Sequence, residues 1–470
     1  MIALALLLPL WAGWMVVESF SVSRKLYLFE RLAYGFLAGQ VLLSWLFLVM
    51  SLLFKTASPV VLGGLLLALG LGLWISNRSK AQDPIVQRGQ NHKPGYLAHT
   101  LLFLLILTLS VVFIKTIFVP ITAYDGFAIY APKSFAIFTH GAITPEMLEY
   151  DLPHPDYPLL IPISEAWNAM VPGQWHEGAV KVIFPLFLTA AALIVAGYIG
   201  RRYSMAVGWG AAILLVSTPQ VFKMGHSAIC DFPLGVFILA AVAILSELQW
   251  ESHSGSVINT SASSYLLPGL FLVGAGSTKN EGLPLALIVL FVTVMFRLWV
   301  ARGQGSPVRS RLLHSAWAWL ILVAGLLPWW LYKTVMGLGS EMINQRTLSI
   351  TWLIDHLERI PFLFRYFYYE MIYSTWHSHH WGEWLIGWIC FWIAIGLWLG
   401  YDRKSASGFP GTVALLQIMM FFLIFTITPY DVTYQLKTAL DRLLVQIYPT
   451  AFLFTIHVFA GVLSRACEEK

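Results

Sequence analysis

Charge is what this chain has least of. Lysine, arginine, aspartate and glutamate together make up 11% of its 470 residues, against roughly 25% in soluble domains. With 58% of the residues hydrophobic, a soluble globule is excluded and the chain reads as a polytopic membrane protein. Cysteine is nearly absent. Cys230, Cys390 and Cys467 lie far apart, which excludes a disulfide framework and a zinc-ligand pattern. The net charge of +5 needs no nucleic-acid partner, because positive cytoplasmic loops account for it. No lysine or arginine precedes Arg24, so the start lacks the basic region of a cleaved signal peptide and reads as a retained helix. No internal repeat is visible, so the inverted-repeat signature of many transporters is absent or too weak to read. Aromatic residues are abundant: 20 tryptophans and 19 tyrosines fit belts at two membrane interfaces.

Apolar runs long enough to cross a ~30 Å hydrocarbon core fall near 2–19, 34–54, 58–76, 98–119, 180–199, 205–222, 229–247, 282–300, 313–334, 384–400, 411–428 and 443–463. A shorter run at 265–278 brings the count to about 13, and the expected fold is all-α. One set of loops carries Arg24, Lys25, Arg78, Lys80, Arg201, Arg202, Arg302, Arg309, Arg403 and Lys404. The positive-inside rule places that side in the cytoplasm. The opposite, external side then receives loops 120–178, 336–382 and 429–442, together with most of the carboxylates. A polar linker ends near residue 97 and divides three N-terminal helices (1–97) from a core at 98–470.

The longest stretch outside these runs is 124–167, YDGFAIYAPKSFAIFTHGAITPEMLEYDLPHPDYPLLIPISEAW. Ionisable groups gathered at the mouth of a helix bundle usually present a site. Asp125 lies just past the end of a span. It is either an ordinary interfacial carboxylate or a general base placed where a lipid headgroup and a soluble acceptor can meet. Lys133 follows two helical turns later and can share its face. A base beside a cation suits transfer of a group from a phosphate: the base takes the acceptor's proton and the cation holds the leaving phosphate. The HPDYP turn at 154–158 is proline-locked and aims Asp156, with His154 and Tyr157 beside it. Asp231 opens the run at 229–247, where the helix macrodipole favours a carboxylate, so capping alone would also explain it.

STKNEGLP at 277–284 is the most informative short motif. The run before it reaches only ~21 Å as a helix, so the turn is expected to sit recessed below the external surface. Charged groups at that depth line protein or a wet cavity. Lys279 is the candidate for holding a lipid phosphate; a structural Lys279–Glu281 pair is the alternative. WHSHHWGE at 376–383 places His377, His379, His380 and Glu383 together. This resembles a metal cluster, yet adjacent histidines do not easily share one ion, and interfacial loops are often histidine-rich. Catalysis is expected to need no obligatory metal, a divalent ion remaining an option. At 431–442, Lys437 and Asp441 are i,i+4 neighbours on a surface helix, and Arg442 can clamp phosphate or sugar. The segment 352–373 reads as an amphipathic helix lying in the external interface.

Taken together, the YDGFAIYAPKSFAI, HPDYPLLIP, STKNEGLP and KTALDRLLVQIYP stretches resemble the GT-C superfamily of integral membrane glycosyltransferases, in its protein O-mannosyltransferase and aminoarabinose-transferase branch. The resemblance covers roughly 98–463. It implies a GT-C-like membrane fold with a large first external loop containing short helices. It implies an inverting glycosyltransferase with a polyprenyl-phosphate sugar donor and an acceptor that is a protein, lipid or polysaccharide. Asp125 is then the catalytic base, with Asp156 and Asp231 as further carboxylates of the centre. Lys279, Lys133, Arg442 and Lys437 are phosphate ligands, and Tyr124, His154, Tyr157 and Glu281 contact substrate. A bacterial inner membrane with the site facing the periplasm fits the topology. One departure stands out: the residue after Asp125 is Gly126, not a second acidic residue.

Two other readings compete. A lipid or solute transporter should carry ionisable groups at mid-membrane, whereas here they cluster at one face. An oligosaccharide ligase with a diphosphate-linked donor should show more arginine around the phosphates than this face offers.

Overall fold

A computed structural model describes residues 1–78, 95–143, 152–253, 262–304, 308–339, 349–373, 383–402 and 406–468. Helix is the only regular structure among them, as lipid demands of segments whose backbone groups must find partners internally. The main helices are α1 (Ile2–Glu18), α2 (Leu28–Phe54), α3 (Pro59–Arg78), α4 (Tyr96–Phe118), α5 (Ala131–His140), α6 (Leu160–Met170), α7 (Ile183–Arg202), α8 (Met205–Ser217) and α9 (Pro219–Met224). They continue as α10 (Asp231–His253), α11 (Leu266–Thr278), α12 (Gly282–Gln304), α13 (Val308–Val335), α14 (Ile360–Tyr368), α15 (Gly387–Leu397), α16 (Phe409–Ile427) and α17 (Val432–Glu468).

Each of the 13 apolar runs forms a helix where the sequence places it, and nine helices among the described residues are long and apolar enough to cross a membrane. The others are shorter for local reasons. The run at 205–222 breaks because Thr218 is extended (φ −62°, ψ 117°) and Pro219 starts α9. Its ring disfavours the helical conformation in the residue before it. The last span begins earlier than expected. Leu436, Leu440 and Leu443 are buried at helical spacing, so most of the segment assigned to an external loop at 429–442 is the start of α17. The interfacial helix expected at 352–373 is a chain of short pieces, Ile350–Asp355, Leu357–Arg359, α14 and a π-turn at Tyr369–Tyr373. Arg359 Nη1 donates to the carbonyls of Thr426 (3.2 Å) and Thr428 (2.8 Å), covering the end of α16.

The core is built around α10, which is almost wholly buried and packs against α7, α11, α12 and α17. The N-terminal helices join this core through α2, which touches α6, α7, α11 and α13. At the Arg201 end of the bundle, Arg201 pairs with fully buried Glu30 of α2 and with Glu247 of α10 (2.6 Å), and Arg202 with Glu247 (2.7 Å). At the other end, α1 is tied to α6 by one polar contact. Pro9 has no N–H, so the Ala5 carbonyl four residues earlier lacks its helical donor. Trp167 Nε1 supplies one at 2.7 Å.

Candidate functional site

The ionisable residues singled out by sequence converge at the end of the bundle where α10 begins. Asp231 occupies the first turn of α10 with no exposed surface. Its Oδ1 accepts from Lys279 Nζ at 2.8 Å and from Gln446 Nε2 at 2.7 Å. Its Oδ2 is buried without a hydrogen-bond partner. Lys279 stands at the α11–α12 turn in extended conformation (φ −156°, ψ 158°) and lies 3.3 Å from Glu281. Burial opposes its charge, but the Asp231 and Glu281 carboxylates beside it hold the ammonium above lysine's ordinary range. The turn is tight for a reason visible at Gly282: a Cβ there would fall on the Ala275 carbonyl. The expected Lys279–Glu281 pair therefore exists, yet the shorter contact goes to Asp231.

Asp125 sits at the start of a π-turn, Gly126–Tyr130, and its carboxylate takes an ion pair from Arg442 of α17. Gly126 explains the departure from a paired-carboxylate motif. A Cβ at 126 would lie 2.7 Å from Ile121 Cγ2 and 3.1 Å from the Ala228 carbonyl, so no second acidic side chain fits. Tyr130 closes the π-turn with its hydroxyl buried and unpartnered. Behind the turn, Ser134 Oγ lies 2.8 Å from the Tyr130 carbonyl and 2.5 Å from Glu165 Oε2. Burial pushes the Glu165 carboxyl up to about 8.

The HPDYP turn lies against the same region. His154 adopts a left-handed conformation (φ 51°) and stacks on Tyr157 at 4.7 Å. Asp156 accepts from Asn280 Nδ2 at 2.7 Å and stands 4.0 Å from Lys333. Lys133 reaches the turn from α5. Its Nζ donates to the His154 carbonyl at 2.5 Å and lies 5.3 Å from the Tyr157 ring centroid. Burial lowers the Lys133 ammonium to about 8, with Asp156 acting in the opposite direction. Burial also raises the Tyr157 phenol, and Glu281 adds to this.

Asp125, Asp156, Asp231, Lys133, Lys279, Glu281, His154, Tyr157 and Arg442 thus share one region. Tyr124 and Lys437 are both exposed. Tyr124 is exposed beside Phe127, and Lys437 lies on the exposed side of α17. Asp441 accepts from Gln220 Nε2 at 3.0 Å, so the i,i+4 pair expected with Lys437 gives way to a contact across helices. His377, His379 and His380 lie outside the described residues. Glu383 lies 3.5 Å from Lys223. Among the described residues no three His, Cys, Asp or Glu side chains form a metal-holding group. Sequence reasoning missed Gln446 and gave Asn280 no role. Gln446 had a signal: it follows Arg442 by four residues, one turn along the same face.

Paired carboxylates and cations gather at one end of a bundle whose long apolar helices define an integral membrane protein. The chain belongs to the dolichyl-phosphate-mannose-protein mannosyltransferase family, whose profile matches residues 97–344, and that is a family of GT-C superfamily membrane glycosyltransferases. The match takes in Asp125, Lys133, Asp156, Asp231 and Lys279, and leaves α1–α3 and Arg442 outside. Neither a curated protein nor a solved structure matches the chain.

Proposed function

We propose that the chain transfers one sugar, mannose by the family's description, from a polyprenyl-phosphate donor to a hydroxyl of an acceptor, a protein by the same description, on the periplasmic face of a bacterial inner membrane. The observation that carries this reading is the pairing of Asp125 with Arg442 beside Asp231, Lys279 and Gln446. It sets a carboxylate base beside two cations at one end of the bundle. Asp125 takes the proton of the acceptor hydroxyl. The hydroxyl oxygen attacks the anomeric carbon from the face opposite the phosphate. The carbon–oxygen bond to phosphate breaks with its electron pair, so the product is inverted and the polyprenyl phosphate leaves. Lys279 and Arg442 stabilise the charge that develops on that phosphate, as preorganised cations in a water-poor site do. Lys133 adds a third positive charge from α5. Asp231 holds Lys279 in place through Oδ1, and Asp156 orders the turn that covers the site. Loss of a phosphate calls for cation stabilisation, which these side chains supply without an obligatory metal.

Asp125→Asn tests the assignment. Turnover with polyprenyl-phosphate mannose and a hydroxyl acceptor should fall by at least ~10²-fold, the scale of general base catalysis, with expression and donor binding kept. A variant that retains near-normal turnover removes Asp125 as the base.

A further inference from the structure

Gln446 touches the buried carboxylate of the site and has no task in the mechanism above. It stands on α17 one turn after Arg442, is fully buried, and lies outside the family match at 97–344. Its Nε2 donates at 2.7 Å to Asp231 Oδ1, the oxygen that also accepts from Lys279 at 2.8 Å. Among the described residues its Oε1 has no hydrogen-bond partner, so the amide is buried at a cost that the bond to Asp231 offsets. The helices bring it there by close approach. Gly235 follows Asp231 by one turn on α10, and a Cβ at 235 would fall 2.7 Å from the Gln446 carbonyl oxygen and 3.1 Å from its Cα.

A second donor on Asp231 matters because of what the first contact leaves loose. The terminal torsion of an aspartate is broad, so a single partner lets the carboxylate turn. A lysine ammonium rides on a flexible stem and goes where its partner holds it. Two donors that converge on Oδ1 from different elements fix the carboxylate, and the carboxylate then fixes Lys279. Arg442 is the other cation acting on Asp231, so both proposed phosphate cations answer to one pinned group. An amide pins it without adding charge. A lysine or arginine at 446 would compete with Lys279 for Oδ1, and a glutamate would repel it.

We propose that Gln446 is a positioning residue for the donor phosphate, setting Lys279 through Asp231. This rests on the phosphate role given to Lys279 above.

Gln446→Glu in the purified full chain provides the test, with polyprenyl-phosphate mannose as donor. When protonated, the new carboxyl donates to Asp231 Oδ1 as the amide does. When ionised, it repels Asp231 and draws Lys279 to itself. Around it stand the carboxylates of Asp231, Asp125 and Glu281 and the cations Lys279 and Arg442. The carboxylate excess and burial together move its ionisation above glutamate's ordinary ~4.3. The donor is a phosphodiester whose single charge is constant over this range. The ratio of KM, variant to wild type, should lie near one at low pH. It should climb with pH to at least about tenfold, the lower end for a hydrogen bond to a charged group, with kcat little changed. Gln446→Leu, of similar size but with no donor, should raise KM equally at every pH. A ratio for Gln446→Glu that stays flat with pH, a wild-type KM in Gln446→Leu, or a loss confined to kcat overturns the proposal. If thermal melts show that neither variant folds at any pH, Gln446 is a packing element and the proposal is overturned as well. Wild-type chain that turns over no polyprenyl-phosphate sugar overturns the donor reading itself, whereas wild-type turnover with a flat ratio overturns Gln446 alone.

Discussion

The charge on Lys133 makes the site sensitive to pH near neutrality. Burial has brought its ammonium down to about 8, so the group is charged below that pH and neutral above it. On the proposed role of Lys133 as a cation for the donor phosphate, that charge is lost as pH rises, so kcat/KM for the donor should decline through about pH 8. Lys133→Arg keeps its charge throughout that range and should remove that alkaline limb. If the limb persists in the arginine variant, another group titrates there. Lys279 behaves differently because Asp231 and Glu281 keep it charged, so it contributes no such limb. At this scale the sequence was partly legible. Charged residues in an apolar chain mark themselves, and Asp125, Asp231 and Lys279 stand out on that ground alone. Gln446 and Tyr130 do not, because a glutamine or tyrosine in a helix is commonplace, and only its buried, unpartnered atoms set it apart.

Element lengths carry the next layer. The brevity of α11 was countable from the sequence, and so was the turn at its end that carries Lys279. The close approach that shapes this turn was not. Gly282 packs against the Ala275 carbonyl of the preceding helix, and a glycine beside a proline-containing run reads equally well as a simple loop breaker. Gly282→Ala should destabilise the protein by about 1–3 kcal/mol, the scale of overpacking, and should raise KM for the donor by shifting Lys279. Thermal melts in detergent and donor kinetics check both. A variant with wild-type melting and KM shows that the turn can relax. The run at 205–222 reads as one span because its apolar character continues through Pro219, whose break of the helix shows only in the structure, and the early start of α17 was hidden by polar residues on the exposed side of its first turns.

Across the whole molecule, what the sequence could not disclose is which distant segments meet. Asp125 and Arg442 are 317 residues apart, and nothing in either motif names the other. The same holds for α1 and α6, joined where Trp167 answers the carbonyl that Pro9 leaves free. Trp167→Phe keeps most of the ring's packing and removes the donor, so it should cost about 1–3 kcal/mol for an unsatisfied buried acceptor. The loss should appear as earlier thermal unfolding; an unchanged melt means that the carbonyl finds another partner. Pro9→Ala should relieve the deficit, because residue 9 would then bring its own N–H.

That contact also sets an order of manufacture. Ala5 is synthesised 162 residues ahead of Trp167, a gap of roughly 8–30 s at the ~5–20 residues per second of the ribosome. Through that interval the first helix waits in lipid with one carbonyl unanswered, at a cost of several kcal/mol. The helix itself packs mainly along α2 and α3, so what the sixth helix adds is the donor for this one carbonyl, and a chain stopped short of Trp167 carries α1 seated but with that acceptor unmet.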